Sequence, residues 1–352
     1  MGRVTGRVRR VSVIIATLAT LTCSKSQETS SPTTPTPGTG SDSLRAAAAG
    51  KLVGTATQAS FLGDGRYITV MDRDFNYLTA EYEMKWNVIE PGKGVRNFGP
   101  GDAIATHGLG HGMQVKGHAL VWHSSVPSWA NALSPADFRV AFENHIRTVA
   151  DHFRGRVLAW DVVNEAIADG GSGLRDTIFR QKLGDDYIAE AFRLAREADS
   201  QALLFYNDYG GEGSGTKSDR IYDLVSNLRA QGVPIDGVGL QMHISAGNRA
   251  SDASIAANMR RLAGLGLIVH ISEMDVKINA VPGDAQTKLT AQRAAFHDVV
   301  RVCVAEPACR AVTFWGFTDA HTWLTGDQPL LYDAQYAPKP AYYGVLDALA
   351  GR

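Results

Sequence analysis

From Lys51 onward the chain carries eight short apolar runs, and almost every one stops at residues that form hydrogen bonds or transfer protons. The runs are "KLVGTA" from Lys51, "NYLTA" from Asn76, "QVKGHALVW" from Gln114 and "VLAWDVV" from Val157. "ALLFYND" from Ala202, "DGVGLQ" from Asp236, "LIVHIS" from Leu267 and "AVTFWG" from Ala311 complete the set. Near-continuous apolarity suits strands buried on both faces, as in a parallel sheet. Between the runs the pattern turns helical. Ser134-Pro135-Ala136-Asp137 offers an N-cap and a proline at the first helical position. Phe138, Phe142, Ile146, Val149 and Phe153 then recur at helical spacing, and Ile221, Leu224 and Leu228 repeat the pattern further on. Eight strand–helix units in 352 residues favour a closed (β/α)8 barrel, an α/β fold, over an open sheet. "GLGHG" from Gly108 lacks the strand–turn–helix setting that a phosphate-binding loop requires.

The first residues differ from the rest. Arg3, Arg7, Arg9 and Arg10 precede the apolar run Val11 to Thr22. A basic start and a short apolar core read as a secretory signal over residues 1–23. The run falls short of the roughly 20 residues a membrane span needs. Arg9-Arg10 alone is a weak twin-arginine signal. Cys23 stands where a lipid-modified cysteine would, although Thr20-Leu21-Thr22 matches such a signal poorly. Residues 24–43 are rich in Ser, Thr and Pro and nearly free of apolar side chains, which marks a linker. One catalytic domain is therefore expected over 44–352. The mature chain is expected to be secreted, periplasmic or on the cell surface, without a transmembrane span. The formal net charge of −1 provides no field for nucleic acid. No pattern implies a metal, an organic cofactor or an obligate oligomer, so a cofactor-free monomer is expected. Cys303 and Cys309 form a close pair across Glu306-Pro307. In an exported chain that fits a disulfide, while a zinc site would need further ligands nearby.

Active sites of such barrels lie at the carboxyl ends of the strands. The second run is followed by Glu81, Tyr82, Glu83 and Lys85, and the third supplies His118, Trp122 and His123. The next four end in Asn164-Glu165, Asn207-Asp208, Gln241 with His243, and Glu273 with Asp275. The eighth carries Trp315, with Trp323 beyond it. Glu165 and Glu273 are 108 residues apart, on the fourth and seventh strands, and so able to face each other across the barrel mouth. Two facing carboxyls are the minimal equipment for glycoside hydrolysis: one protonates the leaving oxygen, and the other attacks the anomeric carbon in a retaining enzyme. Trp faces pack on sugar rings, and Asn, Gln, His and Lys bond hydroxyls. His123 reads as packing, Glu83 as a structural partner of a basic neighbour, and Trp86, Trp129 and Trp160 as core or wall. Asp161, Asn207 and Asp208 read as supports.

At these residues the chain resembles glycoside hydrolase family 10, the (β/α)8 endo-β-1,4-xylanases. The resemblance runs from about Leu52 to the end through eight ordered motifs: "EMKW", "GHALVWH", "WDVVNEA", "YNDY", "GLQMH", "SEMDV", "TFWGFTD" and "PLLYDAQYAPKPAY". It implies Glu165 as general acid/base, Glu273 as nucleophile, and Asn164 as a partner of the sugar 2-hydroxyl. It implies that His243 and Asp275 keep Glu273 ionised, and that Lys85, His118, Trp122, Gln241 and Trp315 line the pocket of the cleaved sugar. Glu81 and Trp323 would bind the next sugar outward, and the Cys303–Cys309 disulfide recurs in the family. Two departures touch the outer subsite on the non-reducing side. Tyr82 stands where the family usually has Asn, and Ser125 where it usually has Gln. Leu324 replaces a frequent Arg at the opposite rim. The activity expected is therefore retaining hydrolysis of internal β-1,4-xylosidic bonds of xylan or xylo-oligosaccharides. The alternatives are a related retaining β-glycosidase with another glycan preference, favoured by Tyr82 and Ser125, and a non-catalytic glycan-binding barrel.

Overall fold

The computed structural model describes residues 1–3, 43–48 and 50–352. Nearly all of the expected signal and of the linker lies outside the described residues. Two units divide the chain, Met1–Pro37 and Gly38–Arg352, and every element below belongs to the second.

Nine strands occur among the described residues: β1 Leu52–Thr57, β2 Tyr77–Ala80, β3 Gln114–Trp122, β4 Ala159–Asn164, β5 Leu203–Asp208, β6 Gly237–Leu240, β7 His243–Ser245, β8 Ile268–Lys277 and β9 Cys309–Phe314. Eight of them pair in the order β1-β2-β3-β4-β5-β6-β8-β9, and β9 returns to β1. Every pairing is parallel. This is the closed (β/α)8 barrel that the eight apolar runs predict. One detail differs. The sixth strand ends at Leu240, and His243 lies in the short β7, where it pairs with Asp275 of β8. Met242 makes that break, with φ of 67° in the left-handed region and its N–H donated to Glu212 Oε1 at 3.2 Å.

The helices cover the barrel as their spacing requires. In the helix Pro135–His152 the Ser134 hydroxyl accepts the Asp137 N–H at 3.2 Å, capping the first turn. Phe138, Phe142, Ile146 and Val149 of this helix are buried in the core, each worth about 1.5–3 kcal/mol of apolar burial. "GLGHG" spans the end of the helix Gly99–Gly110 and its C-cap His111. Cys303 and Cys309 form a disulfide that ties the helix Ala285–Ala305 to the start of β9, with Cα atoms 5.2 Å apart. No helix among the described residues is long and apolar enough to cross a membrane.

Inside the barrel the filling is partly charged. Lys116 Nζ lies 2.7 Å from Asp161 Oδ1, and His118 Nδ1 lies 3.0 Å from Asp161 Oδ2, all three residues buried. A charge placed there is tolerated only because it is paired. Above this layer the register slips between His118 and Val121, between Asp161 and Val163, and between Ile271 and Met274. Such irregularities re-aim side chains. After them Trp122, Asn164 and Asn207 stand abreast on three neighbouring strands.

Candidate active site

The carboxyl ends of the strands enclose a cavity of about 450 Å³. Glu81, Tyr82, Lys85, His118, Trp122, Asn164, Glu165, Gln241, His243, Glu273, Trp315 and Trp323 all line it. The structure thus gathers these sequence candidates, from six strand ends and the loops behind them, into one hollow. Asp275 lies beneath, fully buried.

Glu165 follows the last residue of β4, in the left-handed region at φ 58°. A non-glycine residue there costs of order 1–3 kcal/mol and persists only when its surroundings hold it. Two contacts do so: the Glu165 N–H donates to Asn207 O at 2.9 Å, and Arg175 Nε donates to Glu165 O at 3.2 Å. The carboxylate then receives Trp122 Nε1 at 2.9 Å on one oxygen. Its other oxygen receives Gln241 Nε2 at 3.1 Å and Asn164 Nδ2 at 3.3 Å.

Glu273 is buried and held from two sides. Asn207 Nδ2 donates to Oε1 at 2.6 Å, and His243 Nε2 lies 3.2 Å from Oε2. The other nitrogen of His243 lies 2.8 Å from Asp275 Oδ2, which also accepts Trp323 Nε1 at 2.8 Å. Burial opposes a charge on His243, but the Asp275 and Glu273 carboxylates more than offset it and push the imidazole up to about 10. At neutral pH it is an imidazolium donating to both carboxylates. Burial likewise works to raise Glu273, but the His243 hydrogen bond and the His118 and His243 charges hold its carboxyl below the ordinary value of 4.5. Glu273 is therefore an anion throughout the neutral and mildly acidic range.

Asn207 connects the two carboxylates. Besides Glu273, its Nδ2 donates to Asn164 Oδ1 at 2.8 Å, and Asn164 in turn reaches Glu165. The Ser272 hydroxyl donates to Asn207 Oδ1 at 2.6 Å, which fixes the amide so that its N–H groups face the acids. Space for that amide comes from Gly239, where an added Cβ would stand 2.0 Å from Asn207 Oδ1.

Lys85 is buried with its ammonium 4.4 Å from the Trp122 ring centroid and 4.7 Å from that of Tyr82. Burial lowers its affinity for the proton, while Glu273, Glu81 and Glu165 favour the charge. Trp315 packs edge-on to His118 at 5.1 Å, whereas Trp323 is half-exposed at the rim.

Of the two departures at the outer subsite, only Tyr82 reaches the cavity. Ser125 is buried in a tight turn, and its hydroxyl points back to Trp122 O at 3.4 Å, too short a side chain to enter the hollow. Glu83 also differs from expectation. Among the described residues it makes no ion pair but accepts the N–H groups of Ala59 at 2.6 Å and Tyr82 at 3.1 Å, pinning the loop behind β2. Trp86 and Trp160 are core, and Asp161 supports Lys116 and His118. Tyr209, Gly210, Glu212 and Lys277 line the cavity without having been singled out from the sequence. They lie at or beyond the ends of β5 and β8, where no apolar period marks which residues turn inward.

The profile of Glycosyl hydrolase family 10 matches residues 43–348 of the chain. Endo-1,4-beta-xylanase B of Thermotoga neapolitana is 39% identical over 291 residues, covering 81% of this chain and 83% of that protein. An endo-1,4-beta-xylanase of Agaricus bisporus is 38% identical over 315 residues, covering 87% and 93%. Among solved structures, xylanase 10B of Thermotoga petrophila RKU-1 in complex with xylobiose superposes with a TM-score of 0.84 at 38% identity, covering 88% of this chain and 97% of that one.

Proposed function

The chain belongs to glycosyl hydrolase family 10, and on that premise we propose that it is a retaining endo-1,4-β-xylanase in which Glu273 is the nucleophile and Glu165 the acid/base. The observation that carries this reading is the unequal environment of the two carboxylates in one cavity. Glu273 is buried against an imidazolium and an amide N–H that favour its anion. Glu165 meets only neutral donors, from Trp122, Gln241 and Asn164. That difference divides the labour of a double displacement.

In the first step the Glu273 carboxylate attacks the anomeric carbon, and the bond to the leaving xylose breaks. Glu165 passes its proton to the departing oxygen. In the second step Glu165 takes a proton from water, the hydroxide adds to the anomeric carbon, and the ester to Glu273 is released. Asn164, bonded to Glu165 and linked to Glu273 through Asn207, bonds the 2-hydroxyl of the sugar under attack. Lys85, His118 and Gln241 bond its other hydroxyls, and Trp122 and Trp315 pack its faces. Glu81 and Trp323 receive the next unit. Tyr82 reshapes that outer subsite with a half-exposed ring over Lys85, so the sugar there gains less than an amide would give it. A polymeric substrate also accords with export of the mature chain, a reading that rests on residues 1–23.

Product analysis on soluble β-1,4-xylan tests the assignment. Short xylo-oligosaccharides from the wild type but not from Glu273→Gln support it. A wild type inactive on xylan but active on a β-glucan would favour the alternative glycosidase, for which Tyr82 is the specific observation. Matched aryl xylobiosides and xylosides then report the outer subsite, and a full-sized gain from the second sugar would remove the role given to Tyr82.

A further inference from the structure

We propose that Arg175 is a positioning residue for the acid/base: its guanidinium locks the strained turn that carries Glu165 and ties that turn to Tyr209 on the wall of the same hollow. The role depends on the reading of Glu165 as the proton donor, and it adds a residue from outside the cavity to the catalytic arrangement.

Glu165 and Arg175 are separated by 10 positions. The chain between them leaves β4 and folds back on itself. Ile167 bridges Leu174, the Ala168 N–H donates to Gly173 O at 2.9 Å, and the Arg175 N–H donates to Ala166 O at 2.7 Å. That return brings the Arg175 side chain against the start of its own loop. There Nε donates to Glu165 O at 3.2 Å. One terminal nitrogen donates to Ile167 O at 3.3 Å, to Asp169 Oδ1 at 2.8 Å and to the Tyr209 hydroxyl at 3.2 Å. The Tyr209 hydroxyl spends its own proton on Asp169 Oδ1. The Arg175 and Tyr209 bonds hold the Asp169 carboxyl down to about 2, so this cluster stays charged and paired at neutral and mildly acidic pH.

The turn needs such a hold. Glu165 has φ of 58°, a conformation that a non-glycine residue leaves unless its surroundings forbid it. Relaxing to negative φ would redirect the Cα–Cβ bond and carry the carboxyl away from Trp122, Gln241 and Asn164, its present donors. Asn207 O fixes the N–H side of Glu165, and Arg175 fixes the carbonyl side. A planar guanidinium presents its donors in a rigid fork, so the Glu165 and Ile167 carbonyls are held in one relation to each other. A lysine ammonium has no such fork. Tyr209 is the other end of the clamp. It lines the hollow together with Glu165, so one cation sets the proton donor against the wall beside which the leaving group departs.

The test is kcat/KM on phenyl and 2,4-dinitrophenyl β-xylobiosides for the wild type, Glu165→Ala, Arg175→Ala and Arg175→Lys. The two substrates carry the same sugars, but only the phenyl leaving group needs a proton. General acid catalysis supplies about 10²–10⁴-fold, and a misplacement of about 1 Å can cost about 10²-fold. Arg175→Ala should therefore lose about 10–100-fold on the phenyl substrate and remain nearly unchanged on the dinitrophenyl one. Arg175→Lys should show the same selective loss to a smaller degree, and it decides the matter if the alanine variant does not fold. Equal losses on both substrates would overturn the proposal and leave Arg175 a part in stability or binding alone. No loss on either substrate would overturn it as well. Glu165→Ala is the reference. If it shows no selective loss on the phenyl substrate, the acid/base assignment itself fails, which separates that failure from a failure of Arg175.

Discussion

At the scale of single residues, Asn207 deserves more weight than its position in the sequence gives it. "YND" at the end of β5 offers an amide and an acid, and nothing in that string tells which one faces the Glu165 and Glu273 carboxylates. The structure decides through Ser272, which fixes the amide, and Gly239, which leaves it room. A hydrogen bond to a charged group is worth about 1.5–3 kcal/mol, which corresponds to roughly 10–100-fold in rate. Asn207→Ala is therefore expected to lower kcat on xylan by about that factor while the protein stays folded, and steady-state kinetics with a melting curve will read both. Gly239→Ala should produce a similar loss by pushing the amide aside. His243 carries the pH dependence. Its imidazolium helps to hold Glu273 below 4.5, so the acid limb of kcat/KM should lie below that value. In His243→Asn the positive charge is gone, and the limb should move to higher pH. An unmoved limb would show that another group controls it.

At the scale of elements, the strands were legible because each is buried on both faces and so reads as an apolar run. The helix Pro135–His152 was legible from its cap and its period. Phe142 sits at the centre of that helix's buried face, and Phe142→Ala should cost about 3–5 kcal/mol in chemical denaturation. The disulfide was legible from the close cysteine pair, and the helix Ala285–Ala305 and β9 bring its two ends together. It closes a loop of sequence separation 6, so in a chain-entropy account Cys303→Ala with Cys309→Ala should cost only about 2 kcal/mol. The short β7 and the contributions of Tyr209, Glu212 and Lys277 were not legible. They depend on where the backbone turns after a strand ends, and Met242 with its left-handed φ carries no composition signal. Ser125 shows the same limit in reverse, since a motif position fixed its place along the chain but not the direction of its side chain.

At the scale of the whole molecule, closure of the barrel is what turns dispersed strand ends into one site. The paired charges that make the site also tie stability to pH. His243 keeps its proton to about pH 10 when folded, against an ordinary value of 6.5. Its contribution is complete below pH 6.5 and is lost as pH rises towards 10. Glu273 acts in the opposite sense: its contribution is present above 4.5 and lost as pH falls through its lowered value. Thermal melts across pH should therefore show His243→Asn losing more stability at neutral pH than at pH 10. The central claim is that this hollow hydrolyses xylan with retention, through an ester to Glu273. The most direct measurement is intact-mass and peptide mapping after incubation with a 2-deoxy-2-fluoro-xylobioside bearing a good leaving group, which slows release of the glycosyl-enzyme. The account predicts one fluoro-xylobiosyl group per chain, located on Glu273 and absent from Glu273→Gln. A label on another residue, or turnover of xylan to the inverted anomer with no label at all, would contradict it.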